Sequence, residues 1–152
     1  MSEQEGLDAL CEDGVCIIDT EALKKKAGSA KRDRAQAMLI FLTRGTYGRW
    51  DDGFSAIQVG NAVLAVEAPA TLLLLDDGVY FGVKGQDPSG LGLPSNLAYI
   101  EDFLDLGGRI LALERSLERR GLVWEDLVEG IQVIGDAQTV RELAGHRMTV
   151  TF

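Results

Sequence analysis

This 152-residue sequence predicts an α/β fold, a three-layer α/β/α sandwich around a five-stranded, mainly parallel sheet. Three observations carry the prediction. Short continuous apolar runs such as AMLIFLT (37–43), ATLLLL (70–75) and RILAL (109–113) have strand length and no polar alternation, as strands buried on both faces do. Segments of helical period alternate with these runs, and strand–helix–strand alternation means parallel strands with crossovers packed on the sheet. Clusters of Gly, Pro and Asp punctuate the two kinds of segment.

Taken in order, residues 1–36 differ from the rest and read as an N-terminal extension, because they hold too few apolar residues for a core of their own. EGLDALCEDG reads as a short helix ended by Gly14, VCIID as a short strand, TEALKKKAG as a helix between Thr20 and Gly28, and SAKRDRAQ as a polar connector. The α/β domain spans 37–152. After the first strand, RGTYGRWDDG is a loop in which Asp51 or Asp52 is placed to cap the helix FSAIQVGNAVLAV. Pro69 ends that helix and ATLLLL follows as the second strand. DDGVYFGVKGQDPSGLGLPSN is a long connection with one helical turn near Val79, and NLAYIEDFLDLGG is an amphipathic helix closed by Gly107 and Gly108. RILAL is the third strand, with ERSLERRG as its helix. WEDLVEG adds a short helix, IQVIG a fourth strand, DAQTVRELAG a helix that Asp136 can cap, and RMTVTF the last strand.

Composition narrows the function classes. The formal net charge of −9 argues against a nucleic-acid binder, since phosphate contacts need a basic surface. Six of the 15 Lys and Arg residues fall between Lys24 and Arg34, a run that reads as a solvated face or a docking site for an acidic partner. No apolar run reaches the roughly 20 residues of a membrane span, and the polar start is unlike a signal peptide, so a cytoplasmic location is expected. The two cysteines, Cys11 and Cys16, do not have C-x-x-C spacing, and the only histidine, His146, is far away in sequence. No metal site and no cofactor are expected: GTYGRW is neither a P-loop nor G-x-G-x-x-G.

In open parallel sheets ligands bind beyond the carboxyl ends of the strands. That rule selects residues 44–52, 76–95, 113–116 and 135–136. Within them Arg44, Tyr47, Arg49, Asp77, Tyr80, Leu113, Arg115 and Ser116 are the candidate binding residues. Arginines near helix starts suit anions, while the plainer reading pairs them with local acids. Tyr80 and Phe81, two of only ten aromatic residues, stand side by side in a connection and suggest a lid or a subunit contact.

The stretches MLIFLTRGTYGRWDDGFSAIQVGNAVLA, LLLLDDGVYFGVKGQ, GGRILALERSLERRGL and the final TVTF together resemble the DsrE/DsrF/TusD-like sulfur-relay family over residues 37–152. The resemblance implies trimers or hexamers, of one subunit or of related ones, and a small sulfur-carrier protein as a partner. It also implies a cysteine at the end of the third strand that holds sulfur as a persulfide. Leu113 occupies that position, and Glu114, Arg115 and Ser116 beside it are no substitute. Two readings follow: a sulfur-trafficking protein in which Cys11 or Cys16 carries the sulfur, or a non-catalytic binding or scaffold subunit of the same fold.

Overall fold

The computed structural model describes residues 10–12, 15–17 and 37–152. The chain divides into two units between Arg32 and Asp33. In the first unit, strands β1 (Leu10–Glu12) and β2 (Val15–Ile17) pair antiparallel. Residues 10–12 therefore do not lie in a helix as expected. Asp13-Gly14, taken as a helix stop, is also the dipeptide that two-residue hairpin connections favour. The helix and connector readings over 18–36 lie outside the described residues.

The second unit is a five-stranded sheet in which all strands run parallel. Its strands are β3 (Met38–Leu42), β4 (Ala70–Leu74), β5 (Arg109–Leu113), β6 (Gln132–Ile134) and β7 (Met148–Thr151), in the spatial order β6-β5-β4-β3-β7. Four α-helices accompany them among the described residues: α1 (Trp50–Ala65), α2 (Asn96–Asp105), α3 (Glu114–Glu118) and α4 (Asp136–Gly145). The uninterrupted apolar runs make this sheet because it is buried on both sides. Every residue of β4 is buried, and its register runs from Thr71 opposite Arg109 to Leu74 opposite Ala112.

One face, with Ile40, Leu42, Leu72, Leu74 and Ala112, packs on Ala56 and Ile57 of α1, Ile100 and Phe103 of α2, and Leu117 of α3. The other face carries Leu39, Leu73, Leu111 and Ile134. Successive crossovers walk from β3 to β6 with their helices on the first face, and the return from β6 to the far edge at β7 places α4 on the second. Two contacts fix the end of α4 there: Glu142 pairs with Arg109 at 2.8 Å, and the ring Nε2 of His146 lies 3.3 Å from the Thr71 hydroxyl.

Several element ends differ from the sequence reading. Helix α1 starts at Trp50, so Asp51 and Asp52 lie in its first turn and do not precede it as caps. Helix α3 stops at Glu118, where the Gly121 N–H bonds the Glu118 carbonyl, the Leu122 N–H bonds the Leu117 carbonyl, and Gly121 takes φ 65°. Of WEDLVEG only Trp124–Asp126 is helical, as a 3-10 turn. Asp136 is the first residue of α4 after Gly135 and pairs with Arg115, so it is not the cap.

Candidate functional site

The carboxyl ends of β3 to β6 open onto the segments that the sequence singles out. The turn after β4 organises them. Asp76 adopts φ 47°, a left-handed conformation that a short polar side chain tolerates better than most. Its N–H donates to the Ser116 hydroxyl at 3.0 Å, tying the end of β4 to the start of α3. Ser116 is buried, so its hydroxyl serves this backbone contact and does not face solvent. The Gly78 N–H then donates to the Thr43 carbonyl at 3.1 Å, which presses the 3-10 helix Asp76–Gly82 onto the end of β3.

Arg120 completes this seam. Its guanidinium donates to the Asp77 carboxylate at 2.7 and 2.9 Å and to the Ser116 carbonyl at 3.0 Å. Arg115 meets Asp136 at 3.3 Å, across the ends of β5 and β6. Both pairs are charge balance between neighbouring loops, and both acids lie on the surface. Arg120 was not among the residues expected here. ERSLERRG holds three arginines, Arg115, Arg119 and Arg120, with nothing in the sequence to tell which one reaches back over the turn.

A shallow cleft of ≈ 290 Å³ lies on one side of the seam, lined by Gly45, Thr46, Tyr47, Tyr80, Val83 and Gln86. Tyr47 and Tyr80 come together in it as candidates from different loops. The Tyr47 hydroxyl accepts the Asn96 N–H at 3.3 Å, which leaves its own proton available to a ligand. Gln86 was missed by the sequence reading: its amide reaches the carbonyls of Tyr80 at 3.0 Å and Phe81 at 3.2 Å and closes the 3-10 helix. Arg44 is exposed at the end of β3, while the side chain of Arg49, in the turn Tyr47–Arg49, lies outside the described residues. Phe81 does not join Tyr80 at the surface. It is fully buried in the core, so the aromatic pair is split between a cleft wall and a packing anchor.

On the other side of the seam stands Leu113, the last residue of β5 and the residue before α3. It is 8% exposed and lies opposite Ile134 in the ladder. Leu75, the residue after β4, belongs to the same packed cluster as Ile134. The strand end is thus an aliphatic row, and α3 behind it is only five residues long. Residues 37–152 contain no cysteine. His146 is held at the opposite end of the sheet, with Nδ1 2.6 Å from the Glu142 carbonyl, and does not enter the site. The side chains of Cys11 and Cys16 lie outside the described residues, while their backbone positions in β1 and β2 are described.

Comparison with known proteins adds four findings. The DsrE/DsrF-like family model matches residues 36–152. The intracellular sulfur oxidation protein DsrF of Allochromatium vinosum is 36% identical over 86 residues, covering 56% of this chain and 60% of that protein. The uncharacterized protein MK0008 of Methanopyrus kandleri is 27% identical over 94 residues, 62% of this chain and 75% of that one. Among solved structures, the ychN protein from E. coli superposes with a TM-score of 0.69 at 18% identity, over 77% of this chain and 99% of that one.

Proposed function

The chain belongs to the DsrE/DsrF-like family, and we propose from this that it serves cytoplasmic sulfur relay as a subunit of an oligomer whose α/β core does not itself carry the sulfur. The identity to a protein named for intracellular sulfur oxidation supports the pathway. The single observation that carries the core's role is Leu113. It stands at the end of β5, where the family resemblance calls for a persulfide cysteine, buried and opposite Ile134 in the ladder. A persulfide side chain, one carbon and two sulfurs, reaches about as far from the backbone as the branched leucine side chain, so leucine takes up the sulfur's space and removes its chemistry. The cleft beside Tyr47 and Tyr80 remains as a binding surface for a related subunit or a small sulfur-carrier protein.

This reading has a gain-of-function test. In a Cys11→Ser/Cys16→Ser background, Leu113→Cys is expected to acquire the mass of one sulfur atom from inorganic polysulfide and to lose it to a reductant. The parent double variant acquires none. The substitution also opens space in the aliphatic row and costs about 2 kcal/mol of stability, below the usual loss for Leu→Ala. A folded Leu113→Cys chain that stays unmodified overturns the reading of this strand end as a sulfur position. Light scattering on the full chain is the second arm, with an oligomer expected and a clean monomer at micromolar concentration counting against the assembly.

A further inference from the structure

The two cysteines of the chain lie outside the family-matched residues 36–152 and are direct partners in the hairpin. The register sets Leu10 opposite Ile17, Cys11 opposite Cys16 and Glu12 opposite Val15. Two residues, Asp13 and Gly14, join the strands. In hairpins with a two-residue connection, the turn's own backbone bond links the two flanking residues. That rule makes Glu12 and Val15 the hydrogen-bonded pair. Successive pairs alternate, so Cys11 and Cys16 take the non-hydrogen-bonded position, where opposed Cα atoms are about 4.5 Å apart. This falls inside the Cα separation of roughly 4.4 to 6.8 Å that a disulfide spans.

We propose that Cys11 and Cys16 are a dithiol pair that takes up sulfane sulfur and discharges it as hydrogen sulfide, closing a cross-strand disulfide. The thiolate of one cysteine attacks the outer sulfur of a donor persulfide R–S–SH, forming a cysteine persulfide and releasing the donor thiol R–SH. The thiolate of the other cysteine attacks the inner sulfur of that persulfide. The Cys11–Cys16 S–S bond forms, and the outer sulfur leaves as HS⁻ and takes up a proton. In sum, R–S–SH and two protein thiols give R–SH, H₂S and one disulfide. The sulfane sulfur gains two electrons and the two thiols lose them, and a low-molecular-weight thiol resets the pair. Discharge is favoured over storage because a neighbouring thiol at disulfide distance shortens the life of any persulfide on its partner. The choice of a sulfane-sulfur donor rests on the sulfur-relay reading, whereas the pairing rests on the register alone.

The experiment follows the covalent state of the full, reduced chain by intact mass and thiol alkylation. With inorganic polysulfide as the donor, the chain is expected to end as an intramolecular disulfide with no retained sulfur. Cys11→Ser and Cys16→Ser single variants instead stop at a persulfide on the remaining thiol. Moving the second thiol by one residue, in Cys16→Ser/Ile17→Cys, turns it to the other face of the hairpin and is expected to stop at the persulfide as well. A parallel incubation with a diamide-type thiol oxidant separates the two parts of the inference. Failure of the oxidant to close the pair overturns the pairing. Closure by the oxidant together with a lasting persulfide in polysulfide overturns the discharge. Both results are independent of the light-scattering and Leu113→Cys results that test the sulfur-relay reading.

Discussion

A Gly78→Ala variant is expected to lose about 3 kcal/mol or more of unfolding free energy, the largest effect of any single methyl in the α/β domain. A Cβ at this position would sit 1.9 Å from the Leu42 carbonyl oxygen and 2.6 Å from its carbon. Those are backbone atoms at the end of a central strand, so nothing flexible can give way. Relief requires the Asp76–Gly82 segment to lift off β3, which breaks the Gly78–Thr43 bond and loosens the Asp76–Ser116 bond. The seam that positions both sides of the site is then lost with it. Urea denaturation measures the loss, with Gly90→Ala as the control. Nothing lies within 4 Å of a Cβ at Gly90, and that variant should stay within about 0.5 kcal/mol of the parent. A Gly78→Ala loss under about 1 kcal/mol would show that the turn is not pressed against β3 as described.

Phe81→Ala is expected to cost about 3 to 5 kcal/mol, in the range for removing a fully buried aromatic ring. Phe81 has no exposed surface, and it is the wedge against which two other elements close. A Cβ on Gly53 of α1 would meet its ring at 2.6 Å, and one on Gly45 would meet its Cβ at the same distance. Size is therefore coupled between helix and turn. Gly53→Ala destabilises because the added methyl meets the ring. Phe81→Leu destabilises because it leaves a void. Combined, the methyl enters part of the void, and the double variant should be more stable than the sum of the two losses predicts by about 1 kcal/mol. Strict additivity in that cycle would mean that the two residues are not in contact.

Much of the fold was legible in local sequence. RILAL is β5 with the limits read from it, and DAQTVRELAG is α4. Strands buried on both faces must be apolar throughout, and that requirement leaves an unbroken run anyone can read. Gly107 and Gly108 closing α2 are equally local, whereas Pro69 does not end α1, which stops at Ala65 and is closed by a turn with Glu67 at φ 59°. Helix α3 was less so. ERSLERRG has helical composition to its end, yet the chain turns at Gly121 because Leu117 and Leu122 close the helix together. In the hairpin only β1 was misread, because Asp-Gly serves helix ends and hairpin connections alike, while VCIID was read as the strand that β2 is.

The sequence by itself determined the parallel α/β class, the order of the strands along the chain and the absence of a cysteine from residues 37–152. Each of these depends on one residue or on a run of neighbours. Tertiary structure alone decided that Phe81 is core while Tyr80 lines a cleft, that Arg120 holds Asp77, and that Ser116 is spent on the Asp76 N–H. It also decided that Leu113 is buried opposite Ile134 of β6. These depend on partners up to dozens of residues away, brought together by strand register and crossover. No local pattern encodes such a pairing, because a side chain's role in a site is set by what the fold places opposite it.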